Sequence, residues 1–161
     1  MTMMRARARL GVSFDAVSQA LTENAEDLLP GIPEADGLPV MEISIRETVI
    51  ERAVEFSVGE FTEVREPLLA GVIPFTIRAV HGTGRYPVFE GAVEVTTTGH
   101  SGVEVALEGR YRPPGGLFGA ALDVTALHHM GLDSLERWFK AFAERLRVDA
   151  AARDSMSGVP V

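Results

Sequence analysis

The sequence contains no cysteine, and Lys140 is its only lysine. The absence of cysteine excludes disulfides, thiolate catalysis and cysteine-ligated zinc sites. With 15 basic against 23 acidic residues and a net charge of -8, the chain lacks the positive field that a nucleic-acid-binding domain needs. We therefore expect no nucleic-acid partner.

Long hydrophobic runs are also missing. No stretch approaches the roughly 20 apolar residues of a membrane-spanning helix, and the amino terminus has no apolar segment of the signal-peptide kind. We therefore expect no membrane insertion and a cytoplasmic location. At 161 residues, the chain suits one domain that folds without a metal or a disulfide.

The amino-terminal segment alternates between basic and apolar residues. Arg5, Arg7 and Arg9 alternate with apolar side chains over residues 3–11, which predicts a strand with a solvated outer face. Ser13 then suits the N-cap of a helix that continues to about residue 23. A second short helix is predicted over residues 25–29, before a loop rich in proline and glycine.

Between residues 40 and 112, apolar and polar residues alternate in short runs that are separated by turns. This pattern predicts antiparallel strands with one buried and one solvated face. Pro74 lies inside one run and should mark an edge or a bulge, because it cannot donate a hydrogen bond to a neighbouring strand. Gly91 and Gly109 fall at inward positions, where glycine either curves the sheet or leaves space for a ligand.

Two prolines and two glycines at residues 113–116 end the last strand, and a long helix is predicted from about Leu117 to Arg147. Its apolar residues recur at spacings of three and four, at Leu132, Leu135, Phe139, Phe142 and Leu146. Residues 149–161 show no apolar period, and we expect a flexible tail there. Residues 1–148 then form a single domain.

These elements predict an α+β fold. The apolar face of about six to seven antiparallel strands needs a cover, and only the C-terminal helix is long enough to supply one. We therefore predict a curved antiparallel sheet wrapped around a long C-terminal helix, with two short helices after the first strand closing one end.

The junction between the last strand and the helix carries the run Leu107–Gly115, written LEGRYRPPG, and Gly119 follows it. Together with Ile73–Ala79 and Tyr86–Gly91, this run resembles motifs of the START-like, or SRPBCC, superfamily of helix-grip proteins. The most similar members are a bacterial group labelled polyketide cyclase or dehydrase, in which a G-x-Y-x-P-P-x-G run joins the last strand to the helix.

The resemblance implies the helix-grip fold and a superfamily that includes lipid and hormone binders, aromatase/cyclases and chaperone activators. This chain differs from the family pattern at one point, which limits the residue roles that the resemblance implies. Where related members tend to have His-Arg on the helix, this chain has His128 followed by His129. A role attached to that arginine is therefore not carried over.

Inward positions of the sheet and helix outline a candidate ligand-binding cavity, lined by Phe56, Phe75, Ile77, Val93, Val105, Leu107, Tyr111, Val124, His128, Leu135 and Phe139. Tyr111 is either a core tyrosine bonded to the backbone or a polar anchor for a ligand. His128 is a satisfied, partly buried histidine, a ligand contact, or a catalytic base. The last role would need an orienting carboxylate.

The sequence lacks the motifs of phosphate binding, serine-nucleophile catalysis and metal binding. No phosphate-binding loop and no Gly-x-Ser-x-Gly nucleophile context is present. His128 and His129 diverge by about 100° on a helix, so they cannot share one metal ion. We expect no metal and no other cofactor.

The leading functional hypothesis is binding of a small hydrophobic or amphipathic ligand in a cavity between the sheet and the C-terminal helix. One alternative is a polyketide cyclase/dehydrase-like enzyme that uses Tyr111 or His128, although the sequence does not identify a catalytic residue. A second alternative is a protein–protein interaction module, such as a homodimer formed along a sheet edge.

Overall fold

The computed structural model describes residues 2–28, 32–33, 39–45, 48–66, 68–79, 88–99, 102–112 and 124–157. Over these ranges the elements follow in the order β1 (Thr2–Leu10), α1 (Phe14–Asn24), β2 (Ile32–Pro33), β3 (Pro39–Ile45), β4 (Thr48–Val58), β5 (Thr62–Val64), β6 (Ala70–Ala79), β7 (Val88–Thr98), β8 (Gly102–Arg112) and α2 (Val124–Met156). The predicted α+β class is confirmed. The short strands β2 and β5 are additions to the predicted set.

The strands form one antiparallel sheet in the order β1-β8-β7-β6-β4-β3-β2, with β5 beside β6. Residues 48–53 of β4 pair with β3, whereas residues 54–58 pair with β6. A strand that changes partners lets a sheet turn a corner. The helix α2 contacts β1 and β8 near one edge and β3 near the other, so the sheet wraps around it as predicted.

Pro74 lies where β6 changes its neighbour. Phe75 pairs with Val58 of β4, whereas Val72 pairs with Thr62 of β5. Between them, the Gly59 N–H donates to the Pro74 carbonyl at 2.9 Å. Pro74 has no N–H to donate. In a strand the N–H and C=O of one residue point to the same side, so the missing donor belongs to the side of this break, where no strand is paired with Pro74. Pro74, for which an edge or a bulge was predicted, thus lies opposite a break between two partner strands.

The arginines of β1 are exposed on the outer face of the sheet, as predicted, and each lies beside a glutamate of β8. Arg5 Nε is 2.5 Å from Glu108 Oε1, and Arg7 and Arg9 approach Glu104 at 3.6 Å and 3.9 Å. Exposed pairs of this kind stabilise a fold by about 0–1 kcal/mol each. Their main effect is to balance the charge of this edge of the sheet.

The helix α1 begins as predicted, but the second short helix does not form. The Ser13 hydroxyl caps α1 by accepting a hydrogen bond from the Ala16 N–H at 3.1 Å. Residues 25–28 form a turn, in which the Leu28 N–H donates to the Asn24 carbonyl at 3.1 Å. Four residues before a Leu-Pro step are too few to nucleate a second helix. Leu29 lies outside the described residues.

The helix α2 has 33 residues and a length of about 50 Å. Its predicted apolar stripe is confirmed at Leu135, Phe139, Phe142 and Leu146, which are all buried. No helix in the described ranges is long and apolar enough to cross a membrane. The predicted start near residue 117 lies outside the described residues.

The prediction of a flexible tail from residue 149 is wrong for residues 149–156, which continue α2. This last stretch has polar rather than apolar partners. Ser13 N and Oγ donate to the Asp154 carboxylate at 2.9 Å and 2.5 Å, and Arg153 bridges Asp149 and Glu23. These contacts and the fully buried Ala150 hold the end of α2 against α1.

Candidate functional site

The inner face of the sheet is apolar along the described parts of its central strands. Alternate residues of β6, β7 and β8 are buried, namely Ile73, Phe75, Ile77, Phe89, Val93, Val95, Val103, Val105 and Leu107. They form one cluster with the apolar stripe of α2. Because burial of a large apolar side chain is worth about 1.5–3 kcal/mol, this face determines where α2 packs.

The structure brings together the predicted cavity residues whose side chains it describes. They all belong to the buried cluster, and they are Phe75, Ile77, Val93, Val105, Leu107, Leu135 and Phe139. Val93, Val105 and Leu107 expose none of their surface, so no space that admits a water molecule adjoins them. These three side chains are therefore closely packed against their neighbours.

The other predicted cavity residues lie at one end of the sheet and at the start of α2. Phe56 and Tyr111 belong to one row of paired residues that crosses β4, β6, β7 and β8. Val124 and His128 fall in the first two turns of α2. The side chains of these four residues lie outside the described part of the structure, and their roles in a cavity stay predictions.

Trp138 packs between α2 and the sheet. Its ring centroid is 4.9 Å from that of Phe75 and 5.6 Å from that of Phe142, with the Phe142 ring nearly parallel to it. Aromatic pairs at such distances add about 0.5–1.5 kcal/mol beyond their buried area. Trp138 is therefore part of the helix–sheet contact.

Gly91 and Gly109 face each other across β7 and β8. A Cβ atom on Gly91 would lie 2.1 Å from the Glu108 carbonyl oxygen, and one on Gly109 would lie 2.6 Å from the Phe89 ring. The two backbones thus approach more closely than side chains allow. This geometry supports sheet curvature, and not ligand space, as the role of the two glycines.

A concave cleft lies between the end of α1 and the bend that joins β4 to β5. It has a volume of about 550 Å³ and is lined by residues 21–27 and 58–61. Among its lining residues, Leu21 belongs to the buried core, and Ala25, Val58 and Phe61 are partly buried and pack against that core. This cleft is not predictable from the sequence, because only the fold brings its two segments together.

The rim of the cleft is acidic. Its charged lining residues are Glu23, Glu26, Asp27 and Glu60, and no basic residue lines it. Glu23 pairs with Arg153 at 2.7 Å, whereas the other three carboxylates form no ion pair within the described ranges. The last turn of α1 also has no basic residue to offset the negative end of its helix dipole.

Glu63 connects the two walls of the cleft. The buried Ser18 hydroxyl of α1 donates a hydrogen bond to Glu63 of β5, and Arg65 Nη2 lies 2.9 Å from the same carboxylate. These contacts hold the pKa of Glu63 below its ordinary value, chiefly through the Ser18 hydrogen bond. Within the described ranges, no group of three or more metal-ligating side chains could hold a metal ion.

A search of solved structures finds the same architecture in proteins of low sequence identity. A hypothetical protein from Helicobacter pylori matches with a TM-score of 0.52 at 14% identity, over 92% of this chain and 88% of that one. A conserved protein from Geobacillus kaustophilus matches with a TM-score of 0.52 at 12% identity, over 90% of this chain and 95% of that one. The di-domain ARO/CYC protein BexL, from the BE-7585A biosynthetic pathway, matches with a TM-score of 0.50 at 9% identity, over 92% of this chain and 50% of that one.

The chain has a helix-grip fold. The resemblance seen in the LEGRYRPPG run is thereby confirmed at the level of the fold. No protein-family model matches the chain, and no curated protein matches its sequence. A helix-grip fold at these identities does not specify a ligand, because function depends on the residues of the site and not on the fold.

Proposed function

We propose that the protein binds a small hydrophobic or amphipathic molecule between the sheet and α2, at the end of the domain where α2 begins. Ligand sites are concave and mostly apolar, with a few polar groups that orient the ligand. The inner face of the sheet is apolar along its described central strands, and Tyr111 and His128 are the candidate polar groups. The observation that carries the proposal is the complete burial of Val93, Val105 and Leu107, which leaves no room for a ligand beside them and favours the end of the strands that carries Tyr111.

The direction of α2 supports the choice of that end. Ser13 follows β1 directly and contacts Asp154, near the carboxyl end of α2. Leu10, at the end of β1, pairs with Val103, whereas Tyr111 lies at the opposite end of β8. The start of α2, with Val124 and His128, is therefore expected on the Tyr111 side.

A substitution at the start of α2 tests this proposal. We expect Val124→Trp to fill the ligand space and to weaken binding of the apolar probe 1-anilinonaphthalene-8-sulfonate by about tenfold or more, as measured by fluorescence titration. Val148→Trp adds the same ring at an exposed position near the other end of α2. We expect this control variant to bind the probe with the same affinity as the wild-type protein.

Two results would contradict the proposal. One is a folded wild-type protein that binds no probe and retains no apolar molecule in native mass spectra. The other is an equal loss of probe affinity in Val124→Trp and Val148→Trp, which would place the probe away from the start of α2.

A cyclase-like enzyme is the second candidate, favoured by the fold shared with an ARO/CYC protein. It would orient a folded polyketide-like chain and use Tyr111 as a weak acid or base. Incubation with a poly-β-ketone thioester, followed by chromatography, distinguishes the two functions. An enzyme predicts product formation that Tyr111→Phe lowers while probe binding is retained, whereas a binding protein predicts no turnover.

A further inference from the structure

The hairpin formed by β5 and β6 presents apolar side chains on the outer face of the sheet. Val64 is 51% exposed, Leu68 is 69% exposed and Val72 is 36% exposed. Val64 pairs with Ala70, two residues before Val72, so both valines lie on the face opposite to the buried Ile73. Single exposed apolar residues are common on protein surfaces, whereas three around one hairpin indicate a contact surface.

The backbone of β5 has an edge without a strand partner in the described ranges. The Pro74 carbonyl accepts from the Gly59 N–H, so it points to the side of β6 on which β5 lies. Because backbone groups alternate between the two sides of a strand, those of Ala70 and Val72 point the same way, toward their partners in β5. Glu63 lies between these two pairs, and its own N–H and C=O therefore point away from β6.

The helix α1 does not lie along this edge. It packs over β7, which is separated from β5 by β6, and its Ser18 hydroxyl reaches Glu63 from the inner face of the sheet. The edge is therefore accessible to a further strand as far as the described residues define it.

The charges beside this edge are complementary to a second copy of themselves. Glu63 and Arg65 flank Val64, and Arg65 Nη2 lies 2.9 Å from Glu63 Oε2. In an antiparallel pair of two β5 strands centred on Val64, Glu63 of each copy lies opposite Arg65 of the other, so that four charges of alternating sign meet. The strand β1, at one end of the sheet, has exposed arginines at every second position instead, and self-pairing there would place arginine against arginine.

We propose that two copies of this chain associate through β5, in an antiparallel pair around a two-fold axis at Val64. The backbone groups of Glu63 bond to those of the partner's Arg65, and the exposed valines of both copies form one apolar strip on the outer face. Since β5 has only three residues, the interface is small, and we expect a weak dimer with a Kd of about 10–100 µM. The dimer does not depend on the interior ligand.

Sedimentation equilibrium of the full-length protein at about 5–200 µM tests the association. We expect Val64→Arg to raise the Kd by about tenfold or more, because it places two arginines at the axis. Val148→Arg is the matched control, since Val148 is 55% exposed on α2, and it should leave the Kd unchanged. A wild-type protein that stays monomeric at every concentration, or an equal effect of the two substitutions, would overturn the proposal.

Charge reversal tests the pairing of Glu63 with the partner's Arg65. Arg65→Glu places acidic residues opposite each other and should raise the Kd by about tenfold. Adding Glu63→Arg to this variant restores opposite charges across the axis and should return the Kd to within about threefold of the wild-type value. A folded double variant that associates as weakly as Arg65→Glu would show that the register is wrong.

Cysteine cross-linking tests the register without altering Glu63, because the chain has no cysteine of its own. At the axis the two Val64 side chains form a non-hydrogen-bonded pair, with Cβ atoms about 4.5–5.5 Å apart, near the separation that a disulfide needs. We expect Val64→Cys to form a disulfide-linked dimer about tenfold faster than Val148→Cys. Arg65→Cys should also be slow, because each Arg65 lies opposite Glu63 and not opposite its own copy. Equal rates in the three variants, or no linked dimer from Val64→Cys, would contradict the proposal.

Discussion

The close approach of β7 and β8 at Gly91 and Gly109 gives a prediction about a single residue. Gly109→Ala places a methyl group 2.5 Å from the Glu90 carbonyl oxygen and 2.7 Å from the Gly91 Cα. Overpacking of this kind costs about 1–3 kcal/mol, and we expect that loss in the free energy of unfolding measured with urea. Gly11→Ala is the control, because its methyl group would meet no atom within 4 Å.

An equally small effect of the two alanine substitutions would show that the strands can separate at Gly109 without cost. The account of sheet curvature at this pair would then be wrong.

Glu63 gives a prediction about pH. The pKa of Glu63 is lowered in the folded state. The ionised carboxylate therefore stabilises the fold at pH values above its ordinary pKa of 4.5. This stabilisation is lost as the pH falls below 4.5 and the group becomes protonated. Ser18→Ala removes the main cause of the shift. We expect the variant to be less stable than the wild type by about 1 kcal/mol at pH 7, and this difference to shrink as the pH is lowered toward 3.

Urea unfolding at several pH values measures the effect, with Ser155→Ala as an exposed control on α2. If the stability difference between wild type and Ser18→Ala stays constant across this pH range, Glu63 is not the titrating partner.

At the scale of the element, the end of α2 gives the clearest prediction. A chain that stops after residue 148 loses the Arg153–Glu23 and Ser13–Asp154 contacts and the buried Ala150. We expect its free energy of unfolding to fall by about 2 kcal/mol or more. A chain that stops after residue 157 keeps every described contact and should match the full-length protein. Equal stability of both shortened chains would restore the flexible tail predicted from the sequence.

This end of the helix shows why part of the fold was predictable and part was not. The stripe from Leu135 to Leu146 repeats at helical spacing, so its helix could be predicted from local pattern alone. The final turns have alanine and charged residues instead, and what holds them is pairing with α1, more than 120 residues earlier in the chain. Long-range polar contacts leave no periodic signal. The three residues of β5 are likewise too few to show an alternation.

At the scale of the whole molecule, sequence patterns identified the described inward residues of β6, β7 and β8 correctly but did not distinguish packed core from open cavity. Alternation places Val105 and Leu107 on the inner face, and both are indeed buried there. Whether an inward side chain touches its neighbours or an empty space depends on how closely α2 approaches the sheet. That distance is a property of the assembled fold and not of any one segment.

The acidic cleft escaped prediction for a related reason. Its walls come from the end of α1 and from the β4–β5 bend, which are separated by more than 30 residues. One local signal was present, since the acidic residues that end α1 have no basic residue in the last turn to balance them. That signal indicates a field of negative charge, but not the concave surface beside it.

The central claim is that this helix-grip domain holds a small apolar molecule at the end of its interior where α2 begins. A crystal structure of the protein with 1-anilinonaphthalene-8-sulfonate tests it most directly. The account predicts the probe between the first two turns of α2 and the row that contains Phe56 and Tyr111, with Val93, Val105 and Leu107 still packed as they are here. An interior that is filled by side chains at this end too, with the probe absent from it or bound only on the outer surface, would contradict the claim.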